Sequence, residues 1–141
     1  MNRRFIAFAV VLASALAIGT SVIWKLEHPT SVGRDGTSVH ELASCSDELP
    51  WDQPSKVETV SQKSEGLVVR VLANASCGGV RAVEPRAKIE KQNVMLSWSW
   101  YLPEGEAVAA CLCTRRLEFV VPRGKALHSP SVSLSEAHWK Q

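Results

Sequence analysis

The feature that most constrains the fold is an alternation of apolar and small polar side chains over residues 95–102. On a β-strand, one face would carry Leu96, Trp98, Trp100 and Leu102, and the other would carry two serines between Met95 and Tyr101. Such a period of two predicts a half-buried strand. Because the two tryptophans share their face with leucines, we expect them in the core and not on an exposed ligand platform.

Further short runs rich in β-forming residues predict an all-β domain. Turn-forming residues separate them, and they cover Val57–Gln62, Leu67–Ala73, Val80–Glu84, Val108–Cys113, Leu117–Val121 and Val132–Leu134. A parallel sheet would require crossover helices, and the sequence offers no amphipathic helix of sufficient length. We therefore expect a small antiparallel β-sandwich or a barrel-like domain.

An uncharged apolar segment precedes this domain. Residues Phe5–Trp24 contain no charged side chain and follow Arg3 and Arg4. As a helix they would extend about 30 Å, the thickness of the hydrocarbon core of a bilayer. The segment predicts an N-terminal transmembrane helix, with the membrane as its partner, or a signal helix cleaved after Ala15–Ala17. The apolar run continues past that site, which favours an anchor, and either form would export the rest of the chain.

The predicted organisation therefore has three parts. Residues 1–25 form the signal anchor or signal peptide, residues 26–56 form a tether and the loop that leads into the domain, and residues 57–141 form the β-rich exported domain. The middle part is rich in proline, glycine and serine and has little periodicity. Within it, Trp51 beside Pro50 is either an exposed anchor for a partner or a ring that folds over the sheet.

Four cysteines, Cys45, Cys77, Cys111 and Cys113, follow the apolar segment. An even number of cysteines in a small exported domain predicts disulfides. In a strand, Cys111 and Cys113 would lie about 7 Å apart, which is too far for a direct bridge. Each is therefore expected to pair with either Cys45 or Cys77, and the sequence leaves the two cross-pairings open.

The same cysteines allow a second hypothesis, an exported thiol protein. Cys111 and Cys113 with two remote cysteines could bind a soft metal ion or exchange disulfides. Arg115 and Arg116 follow and would favour a thiolate, although we expect both arginines to be solvated. Neither paired Cys-x-x-Cys knuckles nor a thioredoxin-type Cys-x-x-Cys occurs in the sequence. Structural disulfides without a metal or cofactor are therefore the leading interpretation.

Composition and motifs exclude several functional classes. The chain has 16 lysines and arginines against 14 acidic residues, and a formal charge of +2 is far below that of a dedicated nucleic-acid binder. No nucleophile elbow, zinc-protease motif, phosphate loop or dinucleotide fingerprint is present in the sequence. We therefore expect a non-enzymatic module, anchored or exported, that presents a binding surface to a protein partner in the cell envelope.

Overall fold

The computed structural model describes residues 30–107, 109–122, 127, 129–135 and 138–140, and all of its secondary structure is β. Its nine strands are β1 (Thr30–Val32), β2 (Ser38–Ser46), β3 (Lys56–Gln62), β4 (Gly66–Ser76), β5 (Arg81–Glu90), β6 (Asn93–Tyr101), β7 (Leu112–Pro122), β8 (Ser131–Leu134) and β9 (His138–Lys140). Among these residues, no helix has the length and apolar character needed to cross a membrane. The predicted Phe5–Trp24 helix lies outside the described residues.

The strands form two sheets that pack as a sandwich. One sheet has the order β1-β2-β7-β4-β3 and is antiparallel throughout. The other has β5 antiparallel to β6, while β8 and β9 pair with successive halves of β6 in parallel. The parallel pairs differ from the purely antiparallel prediction. A parallel pair needs a crossover connection, which is usually a helix. Here the chain leaves β6, runs through β7 in the opposite sheet and returns to β8, so β7 is the crossover.

The core lies between the two sheets and confirms the prediction for the tryptophans. Trp98 and Trp100 are 2% and 3% exposed, and Leu96 on the same face is fully buried. The Trp98 ring lies 5.4 Å from the Phe119 ring of β7, so it joins the two sheets. Inward-facing aliphatic residues of β4 and β7 complete the core.

Two segments differ from their sequence-based assignments. Residues 30–46, predicted as tether, contribute β1 and β2, and β2 pairs with β1 and β7 inside its sheet. The sequence pattern of β2 is hard to recognise as a strand. Its register against β7 shifts twice after Glu41, and these shifts interrupt the alternation of inward and outward side chains. The predicted strand Val108–Cys113 is also displaced, since β7 begins only at Leu112.

The Asp35 carboxylate connects the β1–β2 turn to the other sheet. Its oxygens accept hydrogen bonds from the N–H groups of Thr37 (3.0 Å) and Ala87 of β5 (2.8 Å). Burial raises the pKa of Asp35, but the hydrogen bonds from Ala87 and Thr37 outweigh it, so the pKa is lower than usual. A lowered pKa stabilises the fold above the unfolded-state pKa, and this stabilisation is lost as pH falls through the folded-state pKa.

We therefore expect Asp35→Asn to lower the melting temperature at neutral pH. The difference from the wild type should begin to shrink below about pH 4 and be smallest below the lowered folded-state pKa, because the wild-type carboxyl is protonated progressively over this range. Thermal unfolding of both proteins from pH 7 to pH 2 measures this, with Asp52→Asn in an exposed loop as the control. A constant difference across the whole range would contradict the assigned role of Asp35.

Candidate binding groove beside two disulfides

An uncharged groove lies between the residues that precede β3 and the ends of strands β4, β7 and β8. Its volume is about 370 Å³. Its lining combines apolar and neutral polar side chains from Gln53, Pro54, Ser55, Asn74, Ala75, Trp100, Leu112, Leu134, Ser135 and Trp139. None of these ten described residues is charged, so the groove suits an uncharged or apolar surface.

Three large apolar side chains are exposed in and beside this groove. Leu112 and Trp139 line it and are 53% and 54% exposed, and Trp51 is 75% exposed on the loop that precedes Gln53. Exposed apolar side chains that cluster at a groove are typical of interaction sites. Of these three residues, only Trp51 is predicted from the sequence as a candidate anchor. The predicted alternation placed Leu112 on the face opposite Cys111 and Cys113 but did not show that this face is exposed, and no sequence pattern indicated a role for Trp139.

The loop of residues 47–55, here called the Trp51 loop, is held against the outer face of the five-stranded sheet. The side-chain amide of Asn74 donates hydrogen bonds to the carbonyls of Pro50 (2.8 Å) and Gln53 (3.2 Å). The Thr114 hydroxyl accepts a hydrogen bond from the Leu49 N–H (2.9 Å) and lies 3.2 Å from the Leu49 carbonyl. The Trp51 ring is therefore exposed and does not fold over the sheet. Hydrogen bonds at Leu49, Pro50 and Gln53 hold the backbone on both sides of it.

Two disulfides lie next to the groove. Cys45 is joined to Cys113 and Cys77 to Cys111, which is one of the two cross-pairings left open by the sequence. Their Cα–Cα distances of 4.8 and 5.5 Å are within the normal range. The bridges close long loops, with sequence separations of 68 and 34 residues. Each is therefore expected to stabilise the fold by about 2–4 kcal/mol.

The two bridges are close neighbours. The Sγ atoms of Cys45, Cys77 and Cys113 all lie within 4.8 Å of one another. The Cys45 sulfur also lies 3.9 Å from the Cys77 carbonyl oxygen. The soft-metal hypothesis would require these sulfurs as thiolates, whereas all four cysteines are in disulfides in the structure.

Arg115 differs from its sequence-based assignment, because it is buried and not solvated. Its side chain is 6% exposed and forms an ion pair with Glu41, which is 13% exposed. It also donates to the carbonyls of Ser76 (3.2 Å) and Gly78 (2.7 Å). These two residues flank Cys77, so Arg115 fixes the turn that carries one of the bridged sulfurs. Arg116 is less buried and forms ion pairs with Glu48 of the Trp51 loop and Glu58 of β3.

A second groove of about 450 Å³ crosses the outer face of the β5–β6 sheet, lined by Arg34, Asp35, Arg86, Ala87, Lys88, Met95, Ser97 and Ser135. Some of its charged groups already have partners. Asp35 accepts two backbone hydrogen bonds, and Lys88 forms an ion pair with Glu90 at 2.7 Å. We therefore regard the uncharged groove as the candidate functional site.

The chain was compared with protein families, curated proteins and solved structures. No protein-family model, curated protein or solved structure matches the chain. The fold and the groove themselves therefore carry the functional argument.

Proposed function

We propose that the chain is a non-enzymatic, anchored or exported β module that binds a protein partner in the cell envelope through the uncharged groove and the Trp51 loop. The observation that carries the proposal is the exposure of Leu112 and Trp139 in a lining without charge, with Trp51 exposed on the loop that supplies Gln53, Pro54 and Ser55 to the same lining. Protein interfaces are depleted of charged residues at their centre and enriched in aromatic side chains. Tryptophan is also among the residues most often found at binding hot spots.

The proposed topology can be tested independently of the partner. We infer that Phe5–Trp24 crosses the membrane or directs export, and that the β domain follows outside the cytoplasm. A reporter that is active only outside the cytoplasm is then expected to be active when it is fused after Gln141. A reporter that requires the cytoplasm should be inactive at the same position. The reverse pattern would contradict the topology and, with it, an envelope partner.

Trp51 is expected to contribute most to binding. Its side chain is 75% exposed, so Trp51→Ala should change the free energy of unfolding by less than about 0.5 kcal/mol. If the ring occupies a pocket on the partner, its loss should weaken binding by about 2 kcal/mol or more, which is roughly a 30-fold increase in Kd. Thermal unfolding and a binding titration with the partner check the two halves of this prediction.

The partner must first be found and located on the surface. A photo-crosslinking residue at position 112 or 139 of the full chain, expressed in its own membrane, should give one recurrent crosslinked protein. The matched control is position 89, because Ile89 is also apolar and 39% exposed but lies near the β5–β6 turn. Equal crosslinking from all three positions would show that the groove has no special role.

Thiol labelling separates this proposal from the alternative of an exported thiol protein. The structure places all four cysteines in bridges, so we expect no label on the purified native protein. Labelling of two or four cysteines, together with bound metal, would favour the thiol protein instead.

A further inference from the structure

The arrangement of the sulfurs brings one bridge into reach of the other. Cys77 belongs to one disulfide, yet its sulfur lies within 4.8 Å of both sulfurs of the Cys45–Cys113 bridge. Cys111 is not part of this three-sulfur group. A thiolate formed at Cys77 would therefore lie next to the Cys45–Cys113 disulfide. A thiolate formed at Cys111 would lie farther from that disulfide.

The exposure of the cysteines indicates where an external reagent would act. Cys111 and Cys45 are exposed, one in each bridge, while Cys77 is half-buried and Cys113 is only 7% exposed. Disulfide exchange proceeds by attack of a thiolate on one sulfur, with the other sulfur as the leaving group. An external thiolate that attacks the exposed Cys111 sulfur therefore releases Cys77, the sulfur that faces the second bridge.

The two reacting cysteines lie outside the regular parts of their strands. Cys77 is followed by Gly78 and Gly79, and glycine restricts the backbone least. Cys45 lies in the irregular end of β2, where the register against β7 shifts between Ala43 and Ser46. Arg115 and the bond from the Cys77 N–H to the Cys111 carbonyl (3.1 Å) hold the backbone at Cys77, so side-chain rotation closes the gap of at most 4.8 Å between the sulfurs.

We propose that the four cysteines form a disulfide relay. An exported dithiol reduces the Cys77–Cys111 bridge with two electrons, and internal disulfide exchange then makes Cys113 a free thiol in place of Cys77. One thiolate of the dithiol attacks the Cys111 sulfur, which breaks the Cys77–Cys111 bond and gives a mixed disulfide. The second thiol of the dithiol resolves it. The dithiol leaves as its own disulfide, and its two protons and two electrons remain on Cys77 and Cys111.

In the second step, the Cys77 thiolate attacks the Cys45 sulfur. The Cys45–Cys113 bond breaks, a Cys45–Cys77 bond forms, and the Cys113 thiolate takes up the proton that Cys77 lost. This step needs no further reductant because one disulfide replaces another. The product carries its dithiol at Cys111 and Cys113, on either side of the exposed Leu112 in the uncharged groove. This inference rests on the proposed export of the domain, but it does not require a protein partner bound at the groove.

Two matched variants of the full chain test the exchange without any reductant. In Cys111→Ser, the free Cys77 thiol faces the remaining bridge, so we expect at least a tenth of the molecules to carry Cys45–Cys77 or Cys77–Cys113. In Cys77→Ser, the free thiol is at Cys111, outside the three-sulfur group, and Cys45–Cys113 should stay intact. Acid quenching, alkylation and peptide mapping without reduction measure the bridges. Cys45–Cys113 as the sole bridge in both variants, or equal exchange in both, would overturn the proposal.

The wild-type protein gives a second measurement that does not depend on how the variants fold. One molar equivalent of dithiothreitol is added to the oxidised full chain, followed by acid quenching and mapping. We expect the partly reduced molecules to carry Cys45–Cys77, with alkylated Cys111 and Cys113. Retention of Cys45–Cys113 with alkylated Cys77 and Cys111 would show that the first step stops there, and it would refute the relay.

Discussion

Replacing Trp98 by alanine is expected to lower the free energy of unfolding by about 3–5 kcal/mol. The side chain is 2% exposed and contacts aromatic rings in both sheets. It meets Trp100 edge to face at 6.1 Å and Phe119 of the opposite sheet at 5.4 Å. Truncation to a methyl group would remove both aromatic contacts and leave a cavity between the sheets, because close-packed neighbours relax only in part.

Chemical denaturation measures the effect, and two control variants identify its cause. Trp139→Ala removes a tryptophan that is 54% exposed and should cost less than about 1 kcal/mol. Trp98→Phe should cost less than Trp98→Ala, since it keeps most of the ring volume. The indole N–H that it removes is buried without a hydrogen-bond partner among the described residues. A loss below 1 kcal/mol for Trp98→Ala would show that the ring does not hold the sheets together.

The burial of Trp98 was predictable because it depends on a local pattern. Alternation along β6 places its residues on two faces whatever the topology, and the leucines beside the tryptophans identify the buried face. The cross-pairing of the cysteines was predictable to the same extent, since it follows from the spacing of Cys111 and Cys113. The choice between the two cross-pairings depends on which strands become neighbours, and no local pattern contains that information.

The groove could not be predicted for a related reason. Its walls come from the Trp51 loop and from the ends of strands that are distant in the sequence. The parallel pairing of β9 with β6 brings Trp139 beside Trp100, and this pairing depends on the passage of β7 through the other sheet. Arg115 was misassigned because a pair of arginines usually lies in solvent. Its burial requires Glu41, which lies 74 residues away in the sequence.

The ion pair between Arg115 and Glu41 leads to the second prediction with a large effect. Both side chains are mostly buried, and Arg115 also donates to the Ser76 and Gly78 carbonyls. Removal of one partner of a buried pair leaves an uncompensated charge in a low-dielectric environment, which typically costs about 3–5 kcal/mol. Glu41→Ala is expected to destabilise the domain by that amount in chemical denaturation.

A second arginine–glutamate pair between neighbouring strands provides the control. Arg70 and Glu118 of β4 and β7 are 2.9 Å apart, but the Arg70 side chain is 45% exposed. Glu118→Ala should therefore cost less than about 1 kcal/mol. Replacement of both buried partners, as in Glu41→Leu with Arg115→Met, should recover most of the loss because no unpaired charge remains. Equal losses for Glu41→Ala and Glu118→Ala would contradict the assigned role of burial. The double replacement also removes the hydrogen bonds to the Ser76 and Gly78 carbonyls on either side of Cys77, and the loss of these two bonds is the part of the stability that we do not expect it to recover.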